Sequence, residues 1–326
     1  MTKPTYRTCG KNDLILVAGG GGFIGGSLVR YLTAKGFTRI RAVDRKPLPE
    51  WYQRTPGVEC LSLDLSQEKN CRRAVEGAAE VYNLAADMGG MGFIERFRIM
   101  CLRSILINTH LIEAAYRAGV QRYFYSSSAC AYNTTLQKDP HARALKESDA
   151  YPAMAERGLH TAIARFHNVY GPWGTWDGGR EKAPAAICRK VIEAKDRGTG
   201  VIEVWGDGTQ SRSYMLIDDC VSGIDRIMHC DELRATPINL GSSELITVDE
   251  LVSLAEAIGG VKLKRKYNLA APKGVAGRNS DNTMIKRMLG WEPSIPFRVG
   301  LKKTYRWIEQ QYFARKSGRP TVRDLG

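Results

Sequence analysis

The sequence predicts an α/β protein, a doubly wound parallel sheet followed by a smaller C-terminal region. Three features carry that expectation. Short apolar runs alternate with stretches of helical periodicity through the first half. A glycine cluster separates the first run from the first helix. At Gly171 the texture changes, and tryptophans, glycines and basic residues interleave with shorter elements.

In order, Leu14–Ala18 is an apolar run of strand type, and Gly22 to about Lys35 reads as a helix with Ile24, Leu28 and Leu32 on one face. Arg39 to Asp44 and Glu80 to Ala85 are further strands. A helix from about Arg98 to Ala118 sets Ile105, Ile112 and Tyr116 at helical spacing, and Gly119 stops it. Gln121 to Ser127 is the next strand, and the alternation implies helices on both faces of a parallel sheet. Further on, Ile238 to Gly241 is strand-like and a helix follows near 248–258. The expected division is a first domain over 1–170, a substrate-capping region over 171–316 with some segments free to return to the first domain, and a loosely ordered tail over 317–326.

At 326 residues, 43% hydrophobic and 25% charged, the composition is that of a soluble globular chain. No apolar run approaches the roughly 20 residues of a membrane span, and the first residues lack the apolar stretch of a secretory leader. The eight cysteines form no Cys-x-x-Cys pair and no metal-ligand cluster, so free thiols in a cytoplasmic setting and no metal are expected. A formal net charge of +14 raises nucleic acid as a partner, yet the basic residues are scattered and no recognised DNA- or RNA-binding motif accompanies them. A solvated basic surface, with some cations held for a phosphate-bearing ligand, accounts for the excess. Neither nucleic acid nor membrane is expected as a partner.

Gly19-x-x-Gly22-x-x-Gly25 lies between the first strand and the first helix. Glycines there allow a tight turn, close approach of backbone to a pyrophosphate, and close helix–strand packing. Phe23 and Ile24, at the start of that helix, are further cofactor-binding candidates, and the helix N-terminus offers N–H groups to phosphate. Asp44 ends the second strand about 20 residues on, where a carboxylate bonds an adenosine ribose and repels a 2′-phosphate. The pattern is that of a Rossmann-type domain and favours NAD over NADP, with Arg45 and Lys46 leaving NADP open.

Several long strings resemble the extended short-chain dehydrogenase/reductase family, and within it the GDP-mannose 3,5-epimerases. They are Asn83-Leu-Ala-Ala-Asp-Met-Gly-Gly-Met-Gly-Phe-Ile94, Ser126-Ser-Ser-Ala-Cys-Ala-Tyr132, Leu145-Lys-Glu-Ser-Asp-Ala150, Arg165-Phe-His-Asn-Val-Tyr-Gly-Pro172, Gly178-Gly-Arg-Glu-Lys-Ala-Pro-Ala-Ala186, Trp205-Gly-Asp-Gly208 and Gly277-Arg-Asn-Ser-Asp-Asn282. The resemblance covers roughly residues 12 to 312. It implies redox-assisted proton exchange on a nucleotide-sugar such as GDP-mannose: hydride leaves C4 of the hexose to NAD, an acid and a base invert C3 and C5, and the hydride returns.

By the same resemblance Cys130 and Lys182 are the acid/base pair, and Ser128 bonds the sugar. Asp64 and Leu65 lie near the adenine. Gly90, Met91, Asn168, Glu181, Arg212 and Arg278 contact the nucleotide-sugar, with Arg278 as diphosphate clamp. Taken alone, Cys130 reads as a buried small hydrophobe and Lys182 as a solvated cation. Only the surrounding strings turn them towards catalysis. If the strand runs on through Cys130, Ser128 and Cys130 point the same way.

One element of the family pattern is absent. Oxidation at C4 relies on Tyr-x-x-x-Lys in the helix between the serine-rich strand and the next strand, and no such pair stands between Tyr132 and His160. Tyr151 is followed by Pro152 and has Ala155 where lysine belongs, while Tyr312–Lys316 has the spacing far from this segment. About 20 residues are missing after about Ala155, although a crossover needs only about a dozen to reach. An amphipathic helix of that length buries several side chains worth about 1.5–3 kcal/mol each, comparable to a whole domain's stability of roughly 5–15 kcal/mol. A deletion or splice-type variant, a pseudoenzyme with a remodelled crossover, and an altered record of an ordinary epimerase all fit, and weak or absent turnover is expected. The missing helix often helps form the family's dimer interface, so the implied homodimer is weakened too. Other readings are a nucleotide-sugar dehydratase or decarboxylase, against which Ala129-Cys130 stands where dehydratases usually carry an acid pair, and a non-catalytic NAD or nucleotide-sugar binder.

Overall fold

The computed structural model describes residues 9–89, 93, 96, 98–150, 159–271 and 274–319. In chain order its strands are β1 (Leu14–Ala18), β2 (Ile40–Asp44), β3 (Glu59–Ser62), β4 (Ala78–Asn83), β5 (Arg122–Ser128), β6 (His160–Phe166), β7 (Asn168–Tyr170), β8 (Val201–Trp205), β9 (Ser211–Leu216), β10 (Pro237–Leu240), β11 (Leu245–Thr247), β12 (Lys264–Asn268) and β13 (Gly277–Arg278). The helices are α1 (Phe23–Ala34), α2 (Glu68–Val75), α3 (Arg98–Arg117), α4 (Ala183–Arg197), α5 (Ile217–Met228), α6 (Val248–Gly259), α7 (Thr283–Leu289) and α8 (Phe297–Lys316).

Seven strands form one sheet in the order β10-β6-β5-β4-β1-β2-β3, every neighbouring pair parallel. β1 is buried along its whole length, as a central strand covered on both faces requires. Leu28 and Leu32 of α1 pack into the larger core with Ile15, Val17 and Ala42. On the opposite face α2 and α3 close a smaller core around Leu16, Val43, Val81 and Leu111. The expected boundary at residue 170 is crossed twice, because α5 packs against α1 and β10 completes the sheet beside β6.

The rest of the C-terminal half stacks α4 against α6 and α8. Thr247 starts α6 with a reciprocal cap: its Oγ1 accepts from the Glu250 N–H at 3.1 Å, and its own N–H donates to Glu250 Oε2 at 2.8 Å. A small sheet of β11, β9 and β13, with β7 beside β9, stands next to the carboxyl ends of the large sheet.

Two features go beyond what the sequence pattern sets. Ile105 and Tyr116 of α3 do not face the core, being 59% and 55% exposed with Leu102 and Leu106 exposed beside them, whereas Ile112 packs partly buried against the smaller core. The residues that meet the sheet are Ile107, Leu111, Ala114 and Ala115. Nor does β5 continue through Cys130. The strand ends at Ser128, and Ala129–Ala131 form a 3₁₀ turn.

Between β5 and β6 the described residues hold no α-helix, only 3₁₀ turns at Ala129–Ala131, Thr134–Gln137 and Glu147–Asp149 and the isolated bridges Tyr132–Ala150 and Leu145–Ser280. Tyr151, Pro152 and Ala155 lie outside the described residues, as do Gly90, Met91 and the tail from 320 onward. No helix among the described residues is long and apolar enough to cross a membrane.

Candidate active site

The glycine loop has the shape a dinucleotide needs. Gly19 sits at φ +80°, and a Cβ there would lie 2.8 Å from the Leu84 carbonyl oxygen. A Cβ on Gly25 would lie 2.1 Å from Gly19 O, so no larger residue lets α1 start this close to the loop. Gly22 is the extended N-cap of α1, and no side chain caps it, so the helix presents its first turn, with Phe23 and Ile24, to a ligand. Asp44 ends β2 partly exposed, with Oδ1 accepting from the Lys46 N–H at 3.2 Å. These residues fit a pyrophosphate and an adenosine ribose.

Asp64 accepts from the Ser66 N–H at 2.9 Å and pairs with Arg103 at 3.3 Å. Burial pushes its carboxyl up, but the Ser66 bonds and the Arg103 and Arg45 charges outweigh that and hold it below the usual range. The Leu65 side chain is packed in the smaller core.

The second cluster gathers beyond the carboxyl ends of β5 and β6. Ser128 caps the 3₁₀ turn, its Oγ accepting from the Cys130 N–H at 3.1 Å, which lifts the exposed Cys130 thiol off the strand axis. Arg278 Nη1 lies 3.7 Å from Cys130 Sγ. Burial alone would push this thiol up, but the Ser128 hydroxyl and the Arg278 and Lys182 cations prevail and bring it below the ordinary cysteine value.

Lys182 is placed by Pro184, which stands in the first turn of α4 and makes Lys182 the extended N-cap. Its Nζ donates to Gly89 O at 3.1 Å. Burial lowers its ammonium, Cys130 raises it and Arg278 lowers it, with a net downward shift. The positive end of α4 acts in the same direction. A thiol and an ammonium both drawn towards neutrality suit an acid/base pair.

Arg278 stands in register with Arg212 across β13 and β9. Arg212 donates to the carbonyls of Ser211 at 2.7 Å and Ala276 at 3.2 Å, and to that of Val275. Two adjacent guanidiniums place positive charge together where an anionic ligand can meet it. Asn168 uses its Nδ2 to bridge to Ser213 O at 3.1 Å. Glu181 turns inward: one oxygen accepts from the Gly179 N–H at 2.6 Å and the other pairs with Arg189 at 3.3 Å, which staples the loop that carries Lys182.

Sequence reasoning missed three contributors. Gln137 grips Arg278, with Oε1 accepting from its Nε at 2.6 Å. Trp51 packs on the glycine loop so closely that a Cβ on Gly21 would come within 2.7 Å of its ring. Tyr52 links that loop to the 171–182 segment through Thr175 Oγ1 at 3.0 Å. None carries a motif; Gln137 sits in an irregular stretch with no periodicity to mark it. The sequence also holds a second Tyr-x-x-x-Lys, Tyr31–Lys35, but its groups bond Asp225 and tie α1 to α5.

Residues 15–241 match the NAD dependent epimerase/dehydratase family. The chain belongs to that family. Within it, the chain is 40% identical over 322 residues to GDP-mannose 3,5-epimerase of Arabidopsis thaliana, covering 92% of this chain and 83% of that protein. It is likewise 40% identical to GDP-mannose 3,5-epimerase 1 of Oryza sativa subsp. japonica, covering 91% of this chain and 82% of that one. In fold it matches UDP-glucose 4-epimerase of Thermotoga maritima, solved with UDP-glucose, at a TM-score of 0.80 and 23% identity, over 92% of this chain and 99% of that chain. The cofactor of this epimerase/dehydratase chain is NAD, and its glycine loop and Asp44 fit that group.

Proposed function

We propose that the chain is a GDP-mannose 3,5-epimerase by descent that keeps the proton-exchange half of the reaction and lacks a residue for the oxidation half. The observation that carries this reading is the meeting of Cys130, Lys182 and Arg278 beyond the sheet's carboxyl edge. NAD, held by the glycine loop and Asp44, would supply hydride chemistry at the hexose C4. The chain's own residues do the rest. Arg278 and Arg212 hold the diphosphate, Ser128 orients a sugar hydroxyl, and Cys130 and Lys182, approaching from different elements, hold and move the protons at C3 and C5.

Between Tyr132 and His160 the sequence offers no Tyr-x-x-x-Lys to accept the C4 hydroxyl proton, so slow or absent turnover belongs to the reading. That same absence favours the second reading, a binder of NAD and nucleotide-sugar without turnover. A cytoplasmic location is supported by eight cysteines, none of them in a disulfide. The homodimer in this reading rests on the family resemblance alone, and the missing helix weakens it.

Incubation with GDP-mannose and NAD in heavy water, followed by mass spectrometry of the recovered sugar, separates the readings. Deuterium at C3 or C5 means the epimerase survives with another group at C4. No deuterium, with GDP-mannose bound in a separate titration, means a binder.

A further inference from the structure

Gln137 is 1% exposed, and both ends of its side-chain amide are hydrogen-bonded. It ends the 3₁₀ turn Thr134–Gln137, a few residues after Cys130. Its Nε2 donates to Asn133 O at 3.2 Å and Tyr132 O at 3.4 Å, while its Oε1 accepts from Arg278 Nε at 2.6 Å. The amide has one workable orientation. Reversed, its oxygen would face two carbonyls and its NH2 would face a guanidinium.

The backbone fixes the same approach. Gln137 O accepts from the Ala276 N–H at 2.9 Å. A Cβ on Gly277 would lie 2.2 Å from Asp139 O, so only glycine lets β13 pass this close to the 137–140 turn. The turn and β13 are thus laced together with Arg278 between them.

No carboxylate pairs with Arg278 among the described residues, and its Nη2 makes no hydrogen bond to them. A neutral oxygen can orient a guanidinium without cancelling its charge, which a glutamate would do. We propose that Gln137 is a positioning residue that aims the Arg278 guanidinium at Cys130 Sγ while leaving its charge uncompensated. The inference rests on reading Cys130 as the reacting thiol.

The test is alkylation of Cys130 by iodoacetamide in the 326-residue chain from about pH 6 to pH 10, read by peptide mass spectrometry. Gln137→Met removes the acceptor and should raise the midpoint by about one pH unit, slowing alkylation about fivefold at neutral pH. Gln137→Glu adds a neutralising charge and should shift it at least as far. The buried Cys71, Cys188 and Cys220 report on the fold in the same digest, since they stay unlabelled only while the core is intact. An unchanged Cys130 profile with those three protected overturns the proposal. If Gln137→Met opens the core, Arg278→Lys decides: it keeps the charge but loses the fork that Gln137 grips, so an upward shift supports the proposal and a wild-type profile overturns it. None of these readouts needs turnover, so a chain that exchanges no sugar protons leaves the test standing.

Discussion

Lys182 Nζ donates to the Gly89 carbonyl at 3.1 Å, joining the start of α4 to the loop that follows β4. This bond holds a partly buried ammonium on a site that also contains Cys130 and Arg278. Lys182→Met should leave GDP-mannose binding within about threefold. It should cut deuterium incorporation from a GDP-4-keto-hexose by about 10²-fold or more, the usual loss for a proton-transfer group. Supplying the ketone bypasses the oxidation step, so the wild-type chain should exchange this compound even when GDP-mannose gives no deuterium.

The cofactor cradle makes its own prediction. Gly25→Val forces side-chain atoms into Gly19 O, where even a Cβ would stand at 2.1 Å. NAD should raise the melting temperature of the wild-type chain and leave the variant's unmoved. The variant alone should lose about 1–3 kcal/mol, as overpacked sites do.

A buried ionic cluster under the sheet gives a pH dependence. His229 Nε2 lies 3.2 Å from Glu80 Oε1, and its Nδ1 lies 3.2 Å from Asp225 Oδ1, with Lys35 also on Asp225 at 2.8 Å. Burial pushes the imidazolium down, but the Asp225 and Glu80 bonds prevail and its pKa rises from 6.5 to about 10. A folded value above the unfolded one means the stabilisation is complete below about pH 6.5 and is lost as pH climbs towards about 10. Asp225 runs the other way. Burial is overcome by His229 and Lys35, its pKa falls to about 2, and its contribution is lost as pH drops from about 4 to about 2. Thermal melts between about pH 6 and pH 10 should decline in wild type and flatten in His229→Gln. His229→Ala should cost about 3 kcal/mol at neutral pH, because it strands a buried carboxylate.

The exposed stripe of α3 should make the chain sticky. Leu102 is 58% exposed and Ile105 59%, with Leu106 and Tyr116 along the same side. Ile105→Glu together with Leu106→Lys should lower dye binding and light scattering, while stability changes by only about 0.5 kcal/mol. A drop of several kcal/mol instead would mean that the stripe is covered in solution.

Much of the fold is legible in the sequence where a single local cause decides it. β1 is an apolar run closed by glycine, and its ends fall at Leu14 and Ala18. α6 begins at a capping Thr-x-x-Glu and ends before Gly260 in the left-handed region. The face of α3 was not legible. Periodicity shows that Ile105, Ile112 and Tyr116 share a side but not which side meets the sheet, and two of the contacts that do meet it are Ala114 and Ala115, with weak apolar signals. Cys130 was assigned to the site by resemblance, yet its placement depends on the turn capped by Ser128, which strand alternation cannot foresee. Gln137 acts through residues 141 positions away, a contact no local pattern encodes.

That the sheet's last strand comes from Pro237–Leu240 constrains how the chain can be made. On the ribosome β6 emerges long before its outer neighbour, and at about 5–20 residues per second the wait lasts several seconds. Throughout that interval the β6 backbone offers unpaired donors and acceptors to any other nascent strand. Synthesis therefore favours dilute, chaperone-attended conditions, and a fragment that stops near residue 170 would keep that edge open permanently.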